Sequence, residues 1–126
     1  MYITDYFKQI EKILSECPAI IMQEVTYDQR TSYLGFIKGI LTFIDFSQLH
    51  FKEFIDTSNP SFIRYKYGYH YQRDQDMIFR YDNYIHPGKP DLPIHHKHLF
   101  SSSDFIAVPN LPTLDSILKE IISILK

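Results

Sequence analysis

Cys17 is the only cysteine in 126 residues, so no internal disulfide can form. That suits a reducing compartment, and the chain is long enough to bury a core without covalent or metal staples. Glycine is scarce, with four residues, and no spacing among them matches a phosphate-binding loop, which leaves nucleotide transfer unsupported. No run approaches the ~20 apolar residues of a membrane span. Met1-Tyr2-Ile3-Thr4-Asp5 carries neither the charged nor the apolar region of a leader. The expectation is a cytoplasmic protein with no membrane partner. An excess of positive charge is also missing: the formal net charge is -2 and the pI about 6.3, which argues against strong nonspecific DNA binding. There is no repeat and no low-complexity segment.

The composition, 44% hydrophobic and 16% aromatic, is that of one folded domain, residues 1–126. Ile3, Phe7, Ile10 and Leu14 mark an amphipathic helix over residues 3–16, with Thr4 or Asp5 as its cap and Pro18 beyond its end. Strands are predicted over residues 19–29, 33–44 and 48–56, with Gly35 and Gly39 assigned to sheet packing. Leu114, Ile117, Leu118, Ile121 and Leu125 mark a last helix. The predicted fold is α+β: a single antiparallel sheet of about five to six strands, with the N-terminal and C-terminal helices on one face. The other face is left to bind something.

Residues 62–98 concentrate the chemistry. They hold five of the six histidines and six of the ten tyrosines. Their local charge is six cations minus four carboxylates, +2, against -4 for the rest of the chain. Tyr65, Tyr67, Tyr69 and Tyr71 alternate with Arg64, Lys66, Gly68, His70 and Gln72, so an extended strand has an aromatic face and a basic face. A second run, Met77 to Asn83, follows Asp74-Gln75-Asp76. A three-residue loop pairs Arg73 with Met77 and sets His70 opposite Arg80, Gly68 opposite Asp82 and Tyr71 opposite Phe79. A one-residue slip would move every side chain to the other face. Pro87-Gly88-Lys89-Pro90-Asp91-Leu92-Pro93 reads as a loop delivering the chain to His95-His96-Lys97-His98, and a short strand follows near residues 105–108.

These residue types fit phosphodiester cleavage in RNA. The reaction needs a base on the 2′-hydroxyl, an acid on the departing oxygen and cations around the phosphorus. Candidates are His70, His96 and His98 for proton transfer, Arg80 and Lys97 as phosphate clamps, and Asp82 to orient a histidine or pair with Arg80. Lys66, Tyr81 and His95 are candidate substrate-binding residues. The tyrosines either stack on unpaired bases or, the blander alternative that strand preferences favour, fill the core. No cofactor is expected on this reading. The alternative is a metal-dependent hydrolase, with zinc or manganese on His96, His98 and Asp82, although no His-x-x-x-His spacing occurs. A non-catalytic RNA- or protein-binding module is a further alternative. Glu53, among apolar neighbours, is either a perturbed catalytic carboxylate or a paired structural one. His50 is given no functional role.

Tyr69-His70-Tyr71-Gln72, then Ile78-Phe79-Arg80-Tyr81-Asp82-Asn83, then His95-His96-Lys97-His98 resemble the TumE-like family, small prokaryotic proteins regarded as toxins of type II toxin–antitoxin pairs. Where that family's pattern carries a histidine pair after the asparagine, this chain has Tyr84-Ile85-His86-Pro87. The resemblance implies toxicity and a neutralising antitoxin protein. RNA as target and a possible homodimer complete the expected partners.

Overall fold

A computed structural model describes residues 1–83, 95–99, 105–107 and 111–126. The order is α1 (Ile3–Ser15), β1 (Ile20–Gln29), β2 (Leu34–Phe43), β3 (Gln48–Asp56), β4 (Ile63–Arg73), β5 (Asp76–Asp82), β6 (His96–Leu99), β7 (Phe105–Ala107) and α2 (Leu114–Ile124). The seven strands form one antiparallel meander in sequence order, so each pairs only with its chain neighbours. The α+β architecture agrees with the sequence. The strand count exceeds the expected five to six because the short pieces β6 and β7 both join the sheet. The proline-bounded loop expected at 87–93, and His86, lie outside the described residues.

Both helices bury their apolar stripes on the same sheet face. Ile3, Phe7, Ile10 and Leu14 of α1 and Leu114, Ile117, Leu118 and Ile121 of α2 join one core with Ile37, Leu41, Leu49, Phe51, Ile55 and Phe79. Tyr67, Tyr69 and Tyr71 are completely buried in it, so these three of the four alternating tyrosines are core. Such rings bring large apolar area, and each leaves a hydroxyl that needs a partner. Helix α1 starts on Tyr2, whose side chain makes no cap, and not on Thr4 or Asp5. The Ile3 N–H instead donates to the Ser32 carbonyl in the β1–β2 turn at 2.8 Å. Helix α2 has a capping box between Thr113 and Ser116.

Two bulges reset the faces of β4 and β5. Ile55 pairs with Arg64 but Phe54 with Lys66, so Tyr65 is the extra residue. The simple alternation predicted for 64–72 therefore holds only from Lys66 onward. Arg64 turns to the helix side, where it donates to the Tyr69 hydroxyl at 3.0 Å and to the Pro112 carbonyl. Tyr65 turns to the opposite side, 53% exposed. In the β4–β5 hairpin the loop is two residues, Asp74-Gln75, and not three: Arg73 pairs with Asp76 and Gln72 with Met77. Asp74 takes the left-handed conformation, φ 57°, which a short polar residue tolerates. Ile78 is then bulged out, which restores the expected pairs Tyr71–Phe79, His70–Arg80, Tyr69–Tyr81 and Gly68–Asp82.

Gly39 leaves room for a ring from the next strand. A Cβ there would lie 2.5 Å from Phe51 Cε1 and 3.0 Å from Val25 Cγ2. Gly39→Val should therefore destabilise the fold by about 1–3 kcal/mol, the usual cost of overpacking, as a lower urea midpoint at unchanged m-value.

Candidate functional site

The face not covered by the helices carries a hollow of about 340 Å³ across the middle strands. Its walls come from alternate residues of four strands: Lys38 and Ile40 of β2, His50 and Lys52 of β3, His70 and Gln72 of β4, and Arg80 and Asp82 of β5. Register explains the grouping. His50 pairs with His70, His70 with Arg80, and Arg80 with His98, so these residues form one row across the sheet. The next row runs Lys38, Lys52, Gly68, Asp82. Gly68 puts no side chain between Lys52 and Asp82, which leaves space in that row. Among the described residues, Lys38, Lys52 and Arg80 face one carboxylate, Asp82, so the described walls carry a net +2 before any histidine is protonated.

The Asp82 carboxylate is fully buried and fixes the centre of the site. Its Oδ2 lies 2.8 Å from Arg80 Nε and 3.5 Å from His98 Nε2. Arg80 Nη2 is also 3.2 Å from His98 Nε2. Arginine has no acceptor, so that contact is a hydrogen bond only when His98 Nε2 offers its lone pair, with the ring proton on Nδ1. A proton on Nε2 instead faces Asp82. His98 is 4% exposed and stands behind the guanidinium, whereas the Arg80 side chain is 33% exposed and reaches the hollow.

His70 and His50 stand edge to face, with ring centroids 6.4 Å apart. Burial, then the positive charges of Arg80 and His50, hold the His70 pKa below the ordinary 6.5, and a hydrogen bond with Gln72 opposes them. His70 is thus a neutral imidazole at neutral pH. The His50 Nε2 lies 3.2 Å from Gln48 Oε1, which fixes that ring from its far side.

Of the residues singled out in the sequence, the fold brings His70, Arg80, Asp82 and His98 together. Lys66 lies on the same face, paired with Phe54. Lys97, Tyr81 and His95 lie on the helix side. Lys97 Nζ is 2.9 Å from Glu120 Oε2 of α2 and sits over the Phe79 and Tyr81 rings. Burial draws its pKa down, but Glu120 and Tyr81 outweigh that and raise it. Tyr81 donates to Glu120 Oε1 at 2.7 Å. His95 stacks on Tyr67, their ring planes 8° apart, with its Nδ1 2.9 Å from the phenol oxygen. These three residues pin α2 and β6 to the sheet. His96 is described through its backbone, which pairs with Asp82. Among the described residues, no group of three or more His, Cys, Asp or Glu side chains could hold a metal ion.

Glu53 is the paired structural carboxylate. It is 1% exposed on the helix side, accepts from the Tyr6 hydroxyl at 2.5 Å and from the Tyr69 hydroxyl, and lies 3.9 Å from Arg64. Burial and that carboxylate push the Tyr6 and Tyr69 hydroxyls well above the ordinary tyrosine pKa. Sequence reasoning passed over Lys38, Lys52 and His50. The signal available was the shared parity of His50 and Lys52 in β3, but it became meaningful only with the β3–β4 register.

Residues 10–126 match the family model described as Toxin TumE. The chain belongs to the TumE toxin family. It is therefore the toxin of a toxin–antitoxin system, and an antitoxin is its implied partner. No curated protein and no solved structure matches this chain. Among the described residues, no helix is long and apolar enough to cross a membrane.

Removing one partner of a buried ion pair leaves the other charge uncompensated. Asp82→Ala should lower the unfolding free energy by about 3 kcal/mol. A double-mutant cycle with Arg80→Ala, followed by urea unfolding, should show a coupling of at least ~1 kcal/mol. Additive losses would mean that the two residues act independently.

Proposed function

We propose that this TumE-family toxin inhibits growth by metal-independent cleavage of RNA in the hollow between β2 and β5. The observation that supports the reading is the row His50, His70, Arg80: two imidazoles and a guanidinium on adjacent strands, facing one cationic hollow. His70, neutral because of its burial and cationic neighbours, takes the proton of the ribose 2′-hydroxyl. The freed oxygen attacks phosphorus and the bond to the 5′-oxygen breaks. A protonated His50 gives its proton to that departing oxygen. The products are a 2′,3′-cyclic phosphate and a 5′-hydroxyl, and proton exchange with water resets both rings.

Arg80 holds the phosphate oxygens through its planar fork of donors, and Lys52 and Lys38 add charge as the phosphorane forms. Asp82 and His98, buried against Arg80, position its guanidinium. Lys97, bound to Glu120 on the helix side, takes no part.

His70→Ala and Arg80→Ala should each reduce cleavage of labelled RNA by at least ~100-fold, the usual contribution of one positioned proton-transfer or charge-stabilising group. Both should relieve growth inhibition in cells, and chelator should leave wild-type cleavage intact. Retained toxicity in both folded variants would overturn the reading.

The sign of the pH dependence follows from His70. A base with a lowered pKa stays neutral, and active, to lower pH than a free imidazole. The acid limb of kcat/KM should therefore fall with a midpoint below the ordinary histidine value of about 6.5. The same shift makes protonation unfavourable in the folded state. The His70 contribution to stability is thus present above about pH 6.5 and is lost as pH falls through the lowered value.

A further inference from the structure

We infer that Phe36, Phe54 and Tyr65 form a base-stacking platform beside the hollow, which takes unpaired bases of a single-stranded RNA flanking the reactive phosphate. This inference rests on the proposed action on RNA and assigns it a second subsite. Three of the four alternating tyrosines that the sequence offered for stacking are sealed in the core: Tyr67, Tyr69 and Tyr71 have no exposed surface, and only Tyr65 is left outside. Tyr65 stands on the open face with two phenylalanines. Phe36 and Phe54 are neighbours across β2 and β3, with ring centroids 6.2 Å apart, and Phe54 and Tyr65 are 5.5 Å apart across β3 and β4. The rings tilt by 51° and 47°, so they form a stepped ledge and not a closed stack.

Position and charge both favour nucleic acid. Phe36 and Phe54 are two residues along their strands from Lys38 and Lys52, which line the hollow, and Lys66 pairs with Phe54 on the same face. The ledge lies on the order of 13 Å along the strands from the His50–His70 row, at ~3.3 Å per residue, a span of a few nucleotides. Lysines between the two would meet the connecting phosphates, while the rings meet the bases. This pairing of a cationic track with aromatic side chains is what single strands need and a duplex, with its bases stacked inside, cannot use.

The β4 bulge strengthens the case. Strict alternation would send Tyr65 into the core with Tyr67. The extra residue opposite Phe54 and Ile55 re-aims it outward, beside Phe54 and 53% exposed.

The test is binding of a short labelled oligouridine to wild type, Phe54→Ala, Tyr65→Ala and Phe54→Tyr, alongside an abasic oligomer of the same length. Phe54→Ala and Tyr65→Ala should each weaken oligouridine binding by roughly fivefold or more, while Phe54→Tyr keeps it and abasic binding stays unchanged. Tyr65 is exposed enough that its loss should leave the fold intact, which circular dichroism checks. Unchanged oligouridine affinity in both alanine variants, or an equal loss on the abasic strand, overturns the platform. Wild-type cleavage with ring-independent affinity sinks the platform alone. Ring-dependent binding without cleavage sinks the catalytic reading and leaves the platform standing. A wild-type protein that binds neither strand overturns both.

Discussion

The two-residue period of β4, locked in register between β3 and β5, is the constraint on which the molecule depends. It sends Tyr67, Tyr69 and Tyr71 into the core and Gly68, His70 and Gln72 to the open face. Burial of three rings makes a slip by one residue prohibitive, because it would expose them all and bury an imidazole and an amide instead. The hydrophobic core thus sets where the polar side chains of the hollow point. Pairing with β3 and β5 then gathers His50, His70 and Arg80 from three strands into one row.

Burying tyrosines creates an obligation that shapes the helix side. Each phenol finds a partner: Tyr71 donates to Ser47 at 2.7 Å, Tyr69 and Tyr6 share Glu53, and Tyr67 meets His95. Glu53 is tolerated in the core because two hydroxyls and the nearby Arg64 satisfy it. Glu120 serves Tyr81 and Lys97 in the same way and ties α2 to β5 and β6. The two sheet faces therefore carry separate polar networks. One is closed and structural. The other gathers cations around Asp82 and leaves Arg80 partly exposed at the hollow.

Much of this was legible in the residues. Periodicity located both helices and the first three strands, and it placed the tyrosines together. The pairs His70–Arg80 and Gly68–Asp82 followed from the hairpin, although by a different route from the one expected. A two-residue turn with Ile78 bulged gives the same partners as a three-residue loop, because each leaves three residues unpaired between Tyr71 and Phe79. The errors lie where alternation is interrupted. Arg64 and Tyr65 exchange faces at a bulge that no residue type announces, since neither glycine nor proline marks it. Lys97 and His95 stood in a run of four basic side chains that looked like one site. A strand must split such a run between its faces, and Glu120, distant in sequence, holds Lys97 on the helix side.

By itself the sequence determined the class of fold, the family and the chemical types at the site, because hydrophobic period and residue identity are local properties. Only the tertiary structure decided which groups share a face: His50, Lys38 and Lys52 join His70 through pairing between strands whose residues alone do not specify register. It also decided that Asp82 and His98 are buried against Arg80, since burial depends on what the rest of the sheet covers.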